Sequence, residues 1–183
     1  LLNKIDLNNL SNKKLVELFP DLTMQQRYNL MEAKLNMEMM NHSNPRYLVS
    51  ELMDILKSLP TQTVRSSAKE KLQQFSTPLH LAYFMVELLD PQPNDIVLDP
   101  SAGTGNLLTF LNGRVQRIYA NEIDEDRAYL LKLLGYSTTN YNAEFIHNLL
   151  PITIKPNKII MNPPFSSGLK TSKNKTEYGF KHL

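Results

Sequence analysis

Asn162-Pro163-Pro164-Phe165 sets two hydrogen-bond acceptors side by side: the side-chain carbonyl of Asn162 and the main-chain carbonyl of Pro163. The two prolines stiffen the loop and remove competing N–H donors. Such a pair suits an exocyclic amine on an aromatic ring, a poor nucleophile because its lone pair is delocalised into the ring. Accepting both N–H bonds favours the tetrahedral nitrogen of the transition state, and no proton needs to be abstracted. Phe165 supplies a face on which a planar base can stack once it has left a helix. Flipping costs a few kcal/mol and one aromatic stack returns about 1–3 kcal/mol. About sixty residues earlier, the apolar run Ile96-Val97-Leu98 leads into Asp99-Pro100-Ser101-Ala102-Gly103-Thr104-Gly105. The order and spacing of the two segments predict a methyl donor held beside an amine that accepts the methyl.

Two of the six glycines in the chain fall within Gly103-Thr104-Gly105, after a predicted strand and before a predicted helix. A missing Cβ lets the main chain turn sharply and approach a ligand, and a helix amino terminus offers unpaired N–H groups. Asp99, at the carboxyl end of the strand, sits where open parallel sheets bind ligands and is a natural partner for an amino group. Glu122 lies at the end of the next predicted strand, the position from which a carboxylate accepts hydrogen bonds from both hydroxyls of a ribose. Ile123 can cover one face of a nucleoside base. Asn142-Ala143-Glu144-Phe145 offers polar groups for the base edge and an aromatic ring for its other face. The alternatives are that Glu122 caps the helix after Asp124 and that Phe145 is core. Leu108 stands at the third glycine position of the dinucleotide fingerprint, which favours a smaller nucleoside ligand over a pyrophosphate-bearing one.

The elements that must position these residues alternate between helix and strand. The pattern predicts a helix over 79–89, with Ser76 or Thr77 as cap, and strands over 95–98, 117–121, 137–141 and 158–161. Further helices are expected over 105–111, from Asp124 to the stop at Gly135, and over 143–149. Strands separated by helices imply a parallel sheet with right-handed crossovers, an α/β class. Residues 11–59 read as helical. Thr23-x-x-Gln26 is a capping box, Met24, Tyr28, Met31, Leu35 and Met39 form an apolar stripe, and a second helix starts at Pro45. The polar segment 61–67 separates a helical region, 1–66, from an α/β domain, 67–183.

Composition narrows the remaining classes. The 183 residues, 42% hydrophobic and 21% charged, are those of a globular protein, and a net charge of +2 advertises no polyanion partner by itself. The absence of cysteine excludes disulfides and thiolate metal sites. His42, His80, His147 and His182 are scattered without metal-ligand spacing, so no metal is expected. No apolar stretch approaches the ~20 residues that span a bilayer, and a cytoplasmic protein is expected. The first residue is Leu1, which hints at a piece of a longer chain. Lys170, Lys173, Lys175 and Lys181 face only Glu177 in the last segment, a solvated loop or a phosphate contact.

Gln74-Phe75-Ser76-Thr77-Pro78, the 99–105 loop, Asn121-Glu122-Ile123-Asp124 and Asn162-Pro163-Pro164-Phe165 together resemble the S-adenosylmethionine-dependent DNA methyltransferases that act on adenine-N6. Their order is similar to the gamma arrangement, and the resemblance spans residues 73–165. It implies a Rossmann-like methyltransferase sheet with a helical amino-terminal region, the cofactor S-adenosylmethionine, DNA as partner and a base-flipping mechanism. Catalysis would rest on Asn162, Pro163, Pro164 and Phe165. Cofactor binding would involve Phe75, Thr77, Pro78, Asp99, Ser101, Ala102, Gly103, Gly105, Glu122, Ile123, Glu144, Phe145 and Asn162. The general setting would be restriction-modification, phage or plasmid polypeptides. Related families place the same loop against guanine in ribosomal RNA, a protein glutamine or cytosine-N4. A complete sheet of this kind has further strands, so the resemblance also implies a partner subunit or larger polypeptide that completes it. A non-catalytic S-adenosylmethionine-binding module is the alternative of a different class.

Overall fold

A computed structural model describes residues 6, 7, 14, 20–41, 76–151 and 153–164. Helix α1, Met24–Met40, starts at a complete capping box: the Gln26 N–H donates to Thr23 Oγ1 and the Thr23 N–H to Gln26 Oε1. Its buried face differs from the expected stripe. Met24 is exposed, and the inward residues are Asn29, Leu30, Glu32, Ala33, Leu35, Asn36 and Met39. The helix lies against both the glycine loop and a second helix, so polar and apolar positions are buried together.

Helix α2, Leu79–Leu89, is where the sequence predicts it, but Pro78 caps it and no side chain does. Ser76 and Thr77 spend their hydroxyls elsewhere, as described below. Strand β1 runs over Ile96–Asp99, one residue later than predicted. Strand β2, Arg117–Asn121, helix α3, Glu125–Leu133, and strand β3, Ser137–Thr139, follow. Asp124 Oδ1 accepts from the Arg127 N–H to cap α3. Gly135, at φ 90°, ends it: its N–H donates to Lys132 O and the Tyr136 N–H to Leu131 O. A 3₁₀ turn, Ala143–Phe145, runs into the short helix α4, Ile146–Leu149, and strand β4 is Lys158–Ile159.

The predicted helix over 105–111 is not formed. Only Thr109–Leu111 is helical, as a 3₁₀ turn. Gly105 and Gly113, at φ 92° and 73°, leave the helical region at either end of the segment. Leu107, Leu108, Phe110 and Leu111 are all buried there, so packing shapes the turn. Phe110 meets Tyr83 of α2 edge to face, ring centroids 5.3 Å apart.

The sheet order is β3-β2-β1-β4, all parallel. The chain steps outward from β1 to β3 and then returns to the other side of β1. That reversal opens a crevice at the carboxyl ends of β1 and β4, the ligand end of such a sheet. Lys158 fixes the returning strand: its Nζ donates to the Leu89 and Asp90 carbonyls at the end of α2 and sits 3.1 Å from Asp95. The core gathers Leu30, Ala33, Val86, Val97, Leu108, Leu111, Ala120, Leu130 and Leu131 in one cluster, so α1 shares its core with the sheet. The second predicted helix, from Pro45, the boundary at 66 and 67, and the lysines after residue 165 lie outside the described residues. Among the described residues no helix is long and apolar enough to cross a membrane, and no group of three His, Asp or Glu could hold a metal.

Gly105 serves packing. An added Cβ would come within 3.0 Å of Leu131 Cδ2 and 3.2 Å of Tyr136 Cε2, at a φ of +92°. Gly105→Ala is expected to cost on the order of 3 kcal/mol, combining left-handed strain with overpacking, as read by urea denaturation.

Candidate active site

Because β1 and β4 are neighbours, the segments that follow them meet. Ser76, Thr77, Asp99, Ser101, Ala102, Gly103, Thr104, Asn106, Leu107 and Asn162 line one pocket at the carboxyl end of the sheet. Five of the predicted cofactor residues, Thr77, Asp99, Ser101, Ala102 and Gly103, are thus brought together with Asn162.

Asp99 is fully buried at the end of β1. Its Oδ1 accepts from the Ser101 N–H, while Oδ2 has no partner among the described residues, and neither has Ser101 Oγ. Burial pushes the Asp99 carboxyl up to about 8, with the nearby Glu122 charge adding to the rise and the Ser101 N–H opposing it. Two orphaned oxygens in residues lining one pocket fit a ligand that brings its own N–H donors.

Asn162 donates from Nδ2 to Thr77 Oγ1 at 3.0 Å. The hydrogen bond uses the donor end of the amide, and Oδ1 remains as an acceptor one residue from the Pro163 carbonyl. Asn162, Pro163 and Pro164 are all half-buried. Phe165 and Phe75 lie outside the described residues.

Glu122 is buried at the end of β2, beside the pocket. Oε2 accepts from the Gly103 N–H at 2.7 Å and Oε1 from the Asp124 N–H at 2.9 Å. Burial raises its carboxyl above the ordinary range, against the pull of those N–H groups and of Arg127. A carboxylate has about four lone-pair directions, so both oxygens can still accept from a diol. The Gly103 N–H is therefore committed to Glu122. With Gly103 at φ 59°, the glycine is needed for that turn. Ile123 and Phe145 are both about half exposed, at 49% and 52%, so Phe145 is not core. Glu144 is half-buried, and Asn142 caps its turn by accepting from the Glu144 N–H. Pro78, Gly105, Glu122, Ile123, Glu144 and Phe145 do not line the pocket.

The residues that motif spacing missed are Ser76, Thr104, Asn106, Glu32 and Asn36. Glu32 Oε2 accepts from Ser76 Oγ and Thr104 Oγ1, and Asn36 Nδ2 donates to Thr104 O. Asn29, Glu32 and Asn36 recur at three and four residues along α1, so a polar stripe on a predicted buried helix was the available signal.

A parallel sheet reversing beside β1, with an acidic glycine loop after β1 and an Asn-Pro-Pro segment after β4, defines a Rossmann-like methyltransferase fold. Residues 54–183 match the model of the N-6 DNA methylase family, and the chain belongs to that family. It is 37% identical over 89 residues to an uncharacterized RNA methyltransferase of Nanoarchaeum equitans, covering 47% of this chain and 20% of that protein. It is 31% identical over 112 residues to the type II restriction enzyme and methyltransferase RM.BcgI of Heyndrickxia coagulans, covering 49% of this chain and 18% of that protein. The chain spans about a fifth of the length of these curated relatives. Among solved structures, TrmN from Thermus thermophilus is similar at a TM-score of 0.43 and 24% identity, over 59% of this chain and 35% of that one. An rRNA methylase from Streptococcus thermophilus is similar at 0.41 and 20%, over 59% and 61%.

Proposed function

We propose that the chain forms the S-adenosylmethionine-binding and amine-polarising part of a DNA methyltransferase acting on adenine-N6 of a flipped base. The observation that carries this reading is the Asn162 to Thr77 hydrogen bond, which commits the amide donor and leaves the carbonyl as acceptor in the pocket of Asp99. Asn162 Oδ1 and the Pro163 carbonyl accept the two N–H bonds of the amine and stabilise its tetrahedral form. Asp99 holds the amino group of the cofactor, Glu122 its ribose hydroxyls, and Ile123 and Phe145 its base. When bound, the cofactor would supply an electrophilic methyl on its sulfonium: the S–C bond would break to leave a thioether, the N–C bond would form, and the alkylated nitrogen would then release one proton to solvent. Phe165 stacks on the target base.

Family membership and the restriction-enzyme relative support DNA as the acceptor. The RNA methyltransferase relative favours a second reading, in which the same site acts on RNA. Transfer of label from S-adenosylmethionine, offered DNA, RNA and protein together, tests both with the full-length protein. Label in DNA supports the first reading; label in RNA without DNA supports the second.

Asp99 gives the site a pH dependence. With its carboxyl at about 8, the ligand-free protein carries it neutral at pH 7, whereas an ammonium partner requires it ionised. Binding then releases a proton. Cofactor affinity is expected to rise with pH, by up to about tenfold per unit, to a maximum near pH 8, above which the partner ammonium itself loses its proton. Asp99→Asn should flatten that slope in calorimetric titrations across pH 6–9. The folded protein also holds the Asp99 proton between the ordinary value of 3.8 and about 8, so this group's contribution to stability falls as pH rises through that window.

A further inference from the structure

Helix α1 buries a carboxylate at a position where an apolar side chain would cost less desolvation. Glu32 is 6% exposed and makes no ion pair among the described residues. Four hydroxyl or amide donors converge on it instead. Oε2 accepts from Ser76 Oγ at 2.9 Å and Thr104 Oγ1 at 2.5 Å; Oε1 accepts from Asn106 Nδ2 at 3.0 Å and the Tyr28 hydroxyl at 3.4 Å. One turn later Asn36 Nδ2 donates to Thr104 O and to Asn106 Oδ1.

The contacts continue into the pocket. Asn106 Nδ2 also donates to the Thr77 carbonyl at 2.8 Å, and Thr77 Oγ1 is the acceptor that orients the Asn162 amide. Glu32, Asn106, Thr77 and Asn162 therefore form one chain of hydrogen bonds, drawn from α1, the glycine loop, the segment before α2 and the segment after β4. Each link has a fixed sense: the carboxylate can only accept, so Asn106 turns its amide nitrogen toward Glu32 and Thr77. The Asn106 carbonyl in turn faces Asn36.

We infer that Glu32 is a positioning residue for methyl transfer, acting through Asn106 and Thr77 to hold the Asn162 carbonyl toward the amine. The inference rests on the function proposed above for Asn162. It makes α1 part of the active-site machinery, although α1 lies more than a hundred residues before Asn162 in the chain.

The test compares Glu32→Ala, Glu32→Gln and Thr77→Val in the full-length protein, with kcat and cofactor Kd measured separately on whichever of DNA and RNA the wild type methylates. Glu32→Ala should lower kcat by about a hundredfold, as a small misplacement of a reacting group does, with a much smaller change in Kd. Glu32→Gln should recover most of the loss, because its carbonyl still accepts from Asn106 and the Ser76 and Thr104 hydroxyls can reverse to accept from its amide. Thr77→Val, close in shape, should lower kcat at saturating cofactor, whatever it does to Kd as a residue lining the pocket. The inference is overturned by a Glu32→Ala protein that loses thermal stability yet keeps wild-type kcat per cofactor-binding molecule. It is equally overturned by wild-type kcat in Thr77→Val, which decides the matter if Glu32→Ala does not fold. A wild type that methylates RNA alone removes DNA as the acceptor and leaves the Glu32 comparison intact, whereas a wild type that methylates neither overturns both.

Discussion

Asn162→Ala is expected to lower kcat by about 10²–10³-fold, the usual cost of losing one preorganised hydrogen-bonding group in a transition state. Cofactor affinity should stay close to wild type. The reason is the division of labour within the Asn162 amide. Its Nδ2 donates to Thr77, which leaves Oδ1 as the atom that, in the proposed function, accepts from the amine whose nitrogen turns tetrahedral. The contact strengthens as the reaction proceeds, so its loss appears in kcat. Asn162→Asp separates charge from geometry, because the carboxylate keeps an acceptor but loses the donor that Thr77 receives. Single-turnover rates with saturating cofactor, alongside calorimetric Kd values, provide the measurement. An equal loss of cofactor affinity in Asn162→Ala would place Asn162 in the cofactor site alone.

The second large effect is expected at Glu122. Removing its carboxylate with Glu122→Ala should weaken S-adenosylmethionine binding by at least about a hundredfold, from two charge-assisted hydroxyl contacts at ~1.5–3 kcal/mol each. The same carboxylate joins the two turns that frame the ligand end of β2. Gly103 donates to one oxygen and Asp124 to the other, so the substitution also frees the glycine loop. Glu122→Gln keeps one acceptor oxygen and should fall between alanine and wild type. An unchanged Kd in Glu122→Ala would reduce Glu122 to a clamp between those two turns.

Much of the sheet is legible because β1 is a short apolar run and the strands alternate with helical patterns; β3 is polar and ends at Thr139, two residues before the predicted end. Residues 117–121 are a strand with the predicted bounds; the Asp124 side chain starts α3 and the left-handed backbone of Gly135 stops it. The strand after Pro156 is shorter than expected, two residues in place of four. The failure at 105–111 has a clear cause: apolar periodicity there reflects burial on every side, and the left-handed Gly105 is incompatible with a helix start. The placement of Asp99 and Asn162 in one pocket followed from the order of motifs. It needed no knowledge of the sheet order, although the adjacency of β1 and β4 is what makes it true. Glu32 is harder to read for a different reason: the polar stripe it forms with Asn29 and Asn36 fits a solvent-facing side as well as a buried one. A glutamate between apolar residues on a helix reads as solvent-facing, and only the donors brought from residues 76, 104 and 106 make its burial tolerable. The inward face of α1 departs from the apolar stripe for the same reason: Asn29 and Asn36 are buried and Met24 is exposed.

The proposed function has Asn162 and Pro163 polarise the exocyclic amine of adenine in DNA. Its most direct test is nucleoside analysis of DNA after incubation with S-adenosylmethionine and the full-length protein, wild type and Asn162→Ala in parallel. The wild type should yield N6-methyladenine and the variant almost none. N4-methylcytosine as the product, methyl groups found only in RNA or protein, or equal N6-methyladenine from both proteins would contradict it.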